Sequence, residues 1–393
     1  MAETKVVHLI TKLELGGAQR NTLLTVEKLP DYGFVASIWY GPGGILSSRA
    51  EALPRHHELS HLQRAIHPAR DRSALEELTT LLRRLRPQIL HTHSSKAGFL
   101  GRLAAFRCGI PIVVHSVHGF PFSPLQSYLR RHLFAGAEKM AARWTSHFVF
   151  VSRSDRDTAI SMGLCKDNHS LIRSGFPLNP YLPRENWRRA SRRRFGIADN
   201  TILIGTIAPF KPQKGLFQWM EVVREVCRRN PDTSFFLAGD GLLRNQLEKA
   251  VHEAGLTDRV LMPGFLHDLD RVMDAFDLGL STALWEGLPQ SLVQMRLKRI
   301  PLVVSDIPGN NEVIRHEENG FLSPQQDTRA YIRHLEALIK NPELRKRLGS
   351  AEEDFSLWDG DNMVRAQADL YIRLLRQKGF SSDVQDFSPP IVP

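Results

Sequence analysis

The residues best suited to chemistry gather around Ser281–Asp306. Glu286 stands directly before Gly287, and Pro289 precedes a run with helical spacing that ends at Leu297. Proline fits the first turn of a helix, where its missing N–H costs nothing. A helix starting there aims free backbone N–H groups and a partial positive charge at the loop, which favours a phosphate beside Leu288 and Pro289. Glu286 would then hold a polar neutral group next to that phosphate, the combination a sugar nucleotide presents. The competing reading is an acidic loop that caps a helix. Lys211 and Lys214, in the loop 208–215, are the cations best suited to a diphosphate. The Gly16-Gly17 pair lets the backbone approach a ligand closely, although any helix start tolerates such a pair. His91 and His93 alternate at a strand end and share a face. A zinc site would need further ligands that their loop, read as 91–96, does not show. Ser94 and Lys96 stand at the next helix start and suit an acceptor phosphate; His93 is grouped with them. Asp-x-Asp triplets begin at Asp155, Asp268 and Asp359. The first two fall where a helix start favours acid. All three read as capping or chance, so no metal and no cofactor are expected.

Positioning these groups takes a large scaffold. A chain of 393 residues exceeds one ordinary core, and two domains are the default. No apolar run reaches the ~18 residues of a membrane span, and the N-terminus lacks signal-peptide features. Three scattered cysteines, Cys108, Cys165 and Cys227, argue against a disulfide frame and fit a reducing compartment. The expected location is the cytoplasm. The net charge of +10 is concentrated. Arg184, Arg188, Arg189, Arg192, Arg193 and Arg194 crowd one stretch. Arg130, Arg131, Lys139 and Arg143 share another with Leu129, Leu133, Phe134 and Met140. A nucleic acid, an anionic membrane face and plain solvent are the three candidate partners of such surfaces. No DNA- or RNA-binding motif accompanies the charge, which favours the inner membrane face over nucleic acid.

Strand-like and helix-like segments alternate along the chain, so mostly parallel sheets are expected. Lys5–Ile10, a Gly-rich loop and a helix over 18–29 open a doubly wound unit. Residues 1–175 form the first such domain, with the last helix, 363–378, packed back on it. The Pro- and Arg-rich stretch 176–200 reads as an irregular basic linker. Residues 201–362 form a second doubly wound domain, and 379–393 a polar, Pro-rich tail. A long helix is expected over 124–144. The ligand candidates of both halves fall at strand carboxyl ends, where such sheets bind ligands.

The order of motifs resembles the retaining glycosyltransferases of the GT-B fold, family 4. The matching stretches are Gly16-Gly-Ala-Gln-Arg20, His91-Thr-His-Ser-Ser-Lys-Ala-Gly98, Val117-His-Gly-Phe-Pro121, Lys211-Pro-Gln-Lys-Gly215, Ala238-Gly-Asp-Gly241, Trp285-Glu-Gly-Leu-Pro289 and Ile307-Pro-Gly309 with Glu312. They cover nearly the whole chain in order. The histidine-rich stretches resemble the branch that builds bacterial surface polysaccharide and lipopolysaccharide. The resemblance implies two Rossmann-like domains facing across a cleft. It further implies a nucleotide-sugar donor (commonly a UDP-sugar) and a lipid-linked or glycan acceptor. It gives His118 a contact with the donor sugar and makes Glu286 and His118 the catalytic candidates. Candidate nucleotide contacts are Gln294, Gly264, Phe265 and Leu266. Two departures stand out. The family's second acid is Gln294 here, and its arginine five residues before the lysine is Pro209. Glutamine still donates and accepts hydrogen bonds, without the charge. These departures leave open a non-catalytic partner subunit, and the shared fold leaves open a sugar-nucleotide epimerase or hydrolase.

Overall fold

The computed structural model describes residues 3–14, 16–120 and 128–380, without the side chain of Arg130. Two compact units result. Unit 1 takes in the described residues up to Phe176 and from Ser356 onward, and unit 2 is Pro177–Phe355.

Unit 1 is built on a seven-stranded sheet: β1 Thr4–Ile10, β2 Phe34–Tyr40, β3 His56–Glu58, β4 Ile89–His93, β5 Ile112–Val117, β6 His147–Phe150 and β7 His169–Leu171. Their spatial order is β3-β2-β1-β4-β5-β6-β7, with every pair parallel. Alternation along β1 sends Val6 and Ile10 to one face and Val7 and Leu9 to the other. The first face packs on the helices Gly17–Lys28 and Gly360–Gln377, through Leu23, Val26, Tyr371 and Leu374. The second packs on Pro68–Leu85 and Ser95–Cys108, through Leu78, Leu82 and Ala104. His8, Ile89, His91 and His93 follow the same alternation as Val6, and the rings of His8 and His91 meet Tyr371 of the last helix.

Unit 2 repeats the plan with β8 Ile202–Ile207, β9 Thr233–Ala238, β10 Val260–Gly264, β11 Leu278–Ser281, β12 Leu302–Ser305 and β13 Gly320–Ser323. The order is β10-β9-β8-β11-β12-β13, again all parallel. Its core joins Ile204, Phe235, Leu278 and Val303 to Trp219, Val223, Tyr331 and Leu335. In both sheets the order reverses beside the first strand of the unit, between β1 and β4 and between β8 and β11. That reversal opens a crevice at the strand carboxyl ends, where doubly wound sheets take ligands.

Several sequence expectations need correction. Residues 176–200 are not an irregular linker, because Pro177 onward belongs to unit 2 and Glu185–Arg194 is a helix. Asp277 is the reason. It pairs with both Arg188 (2.6 Å) and Arg192 (3.2 Å), and Arg192 is 2% exposed. The arginine run is thus partly a fastening for the helix rather than a free basic surface. The chain returns to unit 1 at Ser356, ahead of the expected 363, and Phe176 bridges to Asp359. His91–His93 are not loop residues but the end of β4. Pro289 stands at the N-cap position, and the helix proper is Gln290–Leu297. The long helix runs Tyr128–Ala142; its expected start, with Pro121 and the tail from 381, lies outside the described residues.

Candidate active site

In unit 2 the two crevice loops are laced together. The Gln213 carbonyl accepts from Leu284 N–H (2.8 Å), and the Gln213 amide donates to the Trp285 carbonyl (2.9 Å). The Thr282 hydroxyl donates to the Lys214 and Gly215 carbonyls. Gly215 has φ +61°, and a Cβ there would lie 2.0 Å from the Thr282 carbonyl oxygen, so only glycine lets the loops close up. Gly309 is fixed by a second close approach. A Cβ there would meet the Glu286 and Gly287 carbonyl oxygens at 2.6 Å, so the Ile307-Pro-Gly309 turn buttresses the acidic loop. With both loops held, the Lys214 ammonium and the Glu286 carboxylate form an ion pair, mostly buried on each side. A small concavity beside them is lined by Thr206, Ala208, Thr282, Pro289 and Ser291.

Lys211 is half-buried at the head of the same loop, and no described residue pairs with its ammonium. Gln294 is buried in the helix Gln290–Leu297. Gly264 ends β10 with φ +84° and accepts a hydrogen bond from Gly239 N–H (3.0 Å). Phe265 meets His267 edge-on, and Leu266 is buried. Leu288 accepts from Gln290 N–H at the turn into the helix.

Unit 1 is different in kind. Gly16 and Gly17 open the first helix, with Arg20 N–H on the Gly16 carbonyl (3.1 Å). Ser94 adopts φ +64°, and its hydroxyl meets Thr11 Oγ1 at 2.7 Å. Lys96 pairs with Asp71 (2.6 Å) and donates to the Ala65 carbonyl, so its ammonium is already engaged within the unit. His93 is 1% exposed, inside the sheet rather than at its rim. It bonds His118 on one side (3.2 Å) and His8 on the other (3.0 Å). Burial lowers the pKa of His118 to about 4 and of His8 to about 3. Burial, reinforced by neighbouring histidines, lowers His91 and His93 well below the ordinary value. These rings are neutral at neutral pH.

Of the three acidic triplets, the one beginning at Asp359 caps a helix through its first side chain. Asp359 accepts from Asp361 and Asn362 N–H at the start of the last helix, while Asp361 pairs with Lys28. Asp268 pairs with Arg194. Ser152 caps the helix Arg153–Ser161, and its hydroxyl donates to the Asp155 carboxylate (2.8 Å).

Sequence reasoning overlooked His8, Ser116 and Tyr371. A histidine inside the apolar run Val6-Val-His-Leu-Ile10 was a usable signal for His8, and its β1 register opposes His91. Tyr371 is 280 positions from His91 and carried no local signal.

The chain thus carries two doubly wound units, the second with lysines and an acid at its switch point. Residues 15–180 match the model of Glycosyltransferase Family 4, and residues 188–355 that of Glycosyl transferases group 1. The UDP-Gal:alpha-D-GlcNAc-diphosphoundecaprenol alpha-1,3-galactosyltransferase of Escherichia coli is 29% identical over 338 residues, 85% of this chain and 87% of that one. The alpha-D-kanosaminyltransferase of Streptomyces kanamyceticus is 28% identical over 294 residues, 68% of this chain and 72% of that one. Among solved structures, Anabaena Alr3699/HepE in complex with UDP and glucose superposes with a TM-score of 0.82 at 19% identity, over 94% of this chain and 99% of that one. The chain belongs to the family 4 glycosyltransferases of the GT-B fold.

Proposed function

We propose that this glycosyltransferase moves a hexose or N-acetylhexosamine from a UDP-sugar to a lipid-linked or glycan acceptor of cell-surface polysaccharide or lipopolysaccharide, with retention at the anomeric carbon and without a metal. The observation that carries this reading is the Lys214–Glu286 pair held at the switch point of unit 2 beside a helix start. The Escherichia coli relative is named for galactosyl transfer from UDP-Gal to a diphosphoundecaprenol acceptor, and the Anabaena structure holds UDP and glucose. The first name supports both the donor and the acceptor class, and the second the donor class.

Transfer needs a leaving diphosphate whose developing charge is met by preplaced cations and N–H groups. Lys214 and Lys211 supply the cations, and the backbone N–H groups after Pro289 supply oriented donors. Glu286 accepts from donor-sugar hydroxyls and steadies Lys214. It is not assigned as a nucleophile. Gln294 serves the ribose through its amide. His118 is assigned to a donor-sugar hydroxyl.

The helix Tyr128–Ala142 exposes Tyr128, Leu129, Leu133 and Met140 together with Arg131 and Lys139. That mixture suits peripheral attachment to the anionic inner membrane face. No described helix is long and apolar enough to cross a membrane.

The decisive experiment is a donor screen on the purified chain. UDP-sugars should raise the melting temperature where GDP- and ADP-sugars do not. Product from the stabilising donor should keep its anomeric configuration, and a chelator should leave the rate unchanged. Inversion, or activity lost to chelator and restored by Mg²⁺ or Mn²⁺, would overturn the corresponding part. The buried Gln294 favours one rival, a partner subunit that binds donor without turning it over; complete absence of donor hydrolysis would select it.

A further inference from the structure

The buried histidines of unit 1 form one unbroken hydrogen-bond chain. His118 Nε2 meets His93 Nδ1 at 3.2 Å, and His93 Nε2 meets His8 Nδ1 at 3.0 Å. His8 Nε2 meets the Tyr371 hydroxyl at 3.2 Å, and that hydroxyl meets His91 Nδ1 at 2.5 Å. His91 Nε2 meets Ser116 Oγ at 2.8 Å. The groups come from β1, β4, β5 with the residue that follows it, and the last helix. Apart from the partly exposed His118, all are essentially out of solvent.

A metal reading of this cluster fails on its own geometry. His8, His91 and His93 each place a nitrogen within 4.8 Å of the others. Yet all six of their ring nitrogens are already spent on bonds along the chain. A metal could enter only by breaking the chain.

Proton counting gives the chain a further property. Each neutral imidazole has one N–H and one lone pair, and Tyr371 has one hydroxyl proton. If every bond is made and the Tyr371 proton is used in one of them, only two arrangements remain; letting Tyr371 accept from both His8 and His91 would leave its buried proton with no acceptor among the described residues. In one, all four rings carry the proton on Nε2, Tyr371 donates to His91, and the chain ends by donating to Ser116. In the other, all four carry it on Nδ1, Ser116 donates to His91, and Tyr371 donates to His8. A change at one member therefore reverses every member. The first arrangement leaves the buried Ser116 hydroxyl proton with no acceptor among the described residues, a cost the second avoids.

We propose that Ser116, His91, Tyr371, His8 and His93 together fix the tautomer of His118, so that its outward Nδ1 is an N–H donor to an oxygen of the donor sugar. The role of the chain in turnover rests on the sugar contact proposed for His118. No described residue bonds Nδ1, which leaves it for the ligand. The five groups behind it are positioning residues, since none touches the sugar in this scheme. Buried and uncharged, the chain can specify direction without placing a positive ring near a sugar that becomes cationic as its bond to the diphosphate breaks.

The test uses the full chain with ring-¹⁵N histidine, read by long-range ¹H–¹⁵N correlation, which separates Nδ1–H from Nε2–H. The four rings should all be Nδ1–H in the wild type, and added Zn²⁺ should leave them so. Mixed tautomers, Nε2–H on His118 or a Zn²⁺-shifted set would overturn the proposal. In Tyr371→Phe the shared tautomer should break up at His118, and kcat should fall about tenfold with the donor KM nearly unchanged. In a His118→Ala background the same change should lower kcat no further. A full additional loss there would show Tyr371 acting by another route and overturn the relay. If His118→Ala alone leaves turnover intact, the sugar contact fails while the shared tautomer still stands or falls on the spectrum.

Discussion

The two units share an architecture and differ in how they keep polar groups at the switch point. In unit 1 the polar groups lie within the strands, at His8, His91 and His93, where no water reaches them. An ion there would bear the full desolvation cost, so the rings stay neutral and bond one another. In unit 2 the β8 and β11 strands are apolar apart from Thr206 and Ser281, and the candidate site groups sit one loop further on. Lys214 and Glu286 keep partial solvent access, and each carries the other's counter-charge. Depth thus decides chemistry. A diphosphate needs formal charge, which a partly solvated loop carries at a lower desolvation cost than the strand interior, whereas directional bonding to neutral hydroxyls can be supplied from inside a sheet.

The largest expected effect tests the charged side. Glu286→Gln keeps the shape and removes the charge, and should lower kcat roughly 10²–10³-fold in a steady-state assay. Lys214→Met should do the same, and the double variant should lose far less than the product of the two, because the residues act as a pair. Independent effects would dissolve the pairing.

Asp277→Asn should come next. It strands Arg192 in a buried position and should cost about 3 kcal/mol in denaturant unfolding. Arg193→Ala, on the exposed side of the same helix, should change stability by less than about 0.5 kcal/mol. Equal effects would return the arginine run to plain surface.

Acid should separate the units. A histidine whose folded pKa is depressed stabilises fully above the unfolded value near 6.5, and that contribution is lost as pH falls toward about 3 for His8 and about 4 for His118. At pH 5 each fully buried ring should have removed about 2 kcal/mol. Hydrogen exchange should therefore show β1 and β4 losing protection between pH 7 and pH 5 more than β8 and β11, which carry no histidine. Uniform loss would contradict the contrast. The smallest effect should be Gln294→Glu. Restoring the charge-assisted contact should lower the donor KM a few-fold without moving kcat, and an unchanged KM would take this position out of the donor site.

Much of the candidate site in unit 2 was legible because loops advertise it. Glu286 and the Gly-Leu-Pro turn are consecutive, and local stereochemistry ties them to a helix start, while Lys214, 72 positions earlier, stood out in a loop of its own. The arginine run misled for the opposite reason. Its partner Asp277 lies 85 positions from Arg192, and charge read without its counter-ion looks like a surface. His93 was placed in a loop because a strand ending in polar residues resembles its own exit. The capping role of Asp359 was not singled out, because the last helix was read to begin at 363, whereas it begins at Gly360.

What the sequence determined by itself was the rhythm of strand and helix, the two doubly wound units and the loop residues at the strand ends. All of these follow from local periodicity and turn chemistry. The tertiary structure alone decided which polar residues meet. It brought Tyr371 from the last helix onto a face shared by His8 and His91, and so turned separate histidines into one chain. Hydrogen-bond direction along that chain depends on every member at once, and no local stretch of sequence contains it.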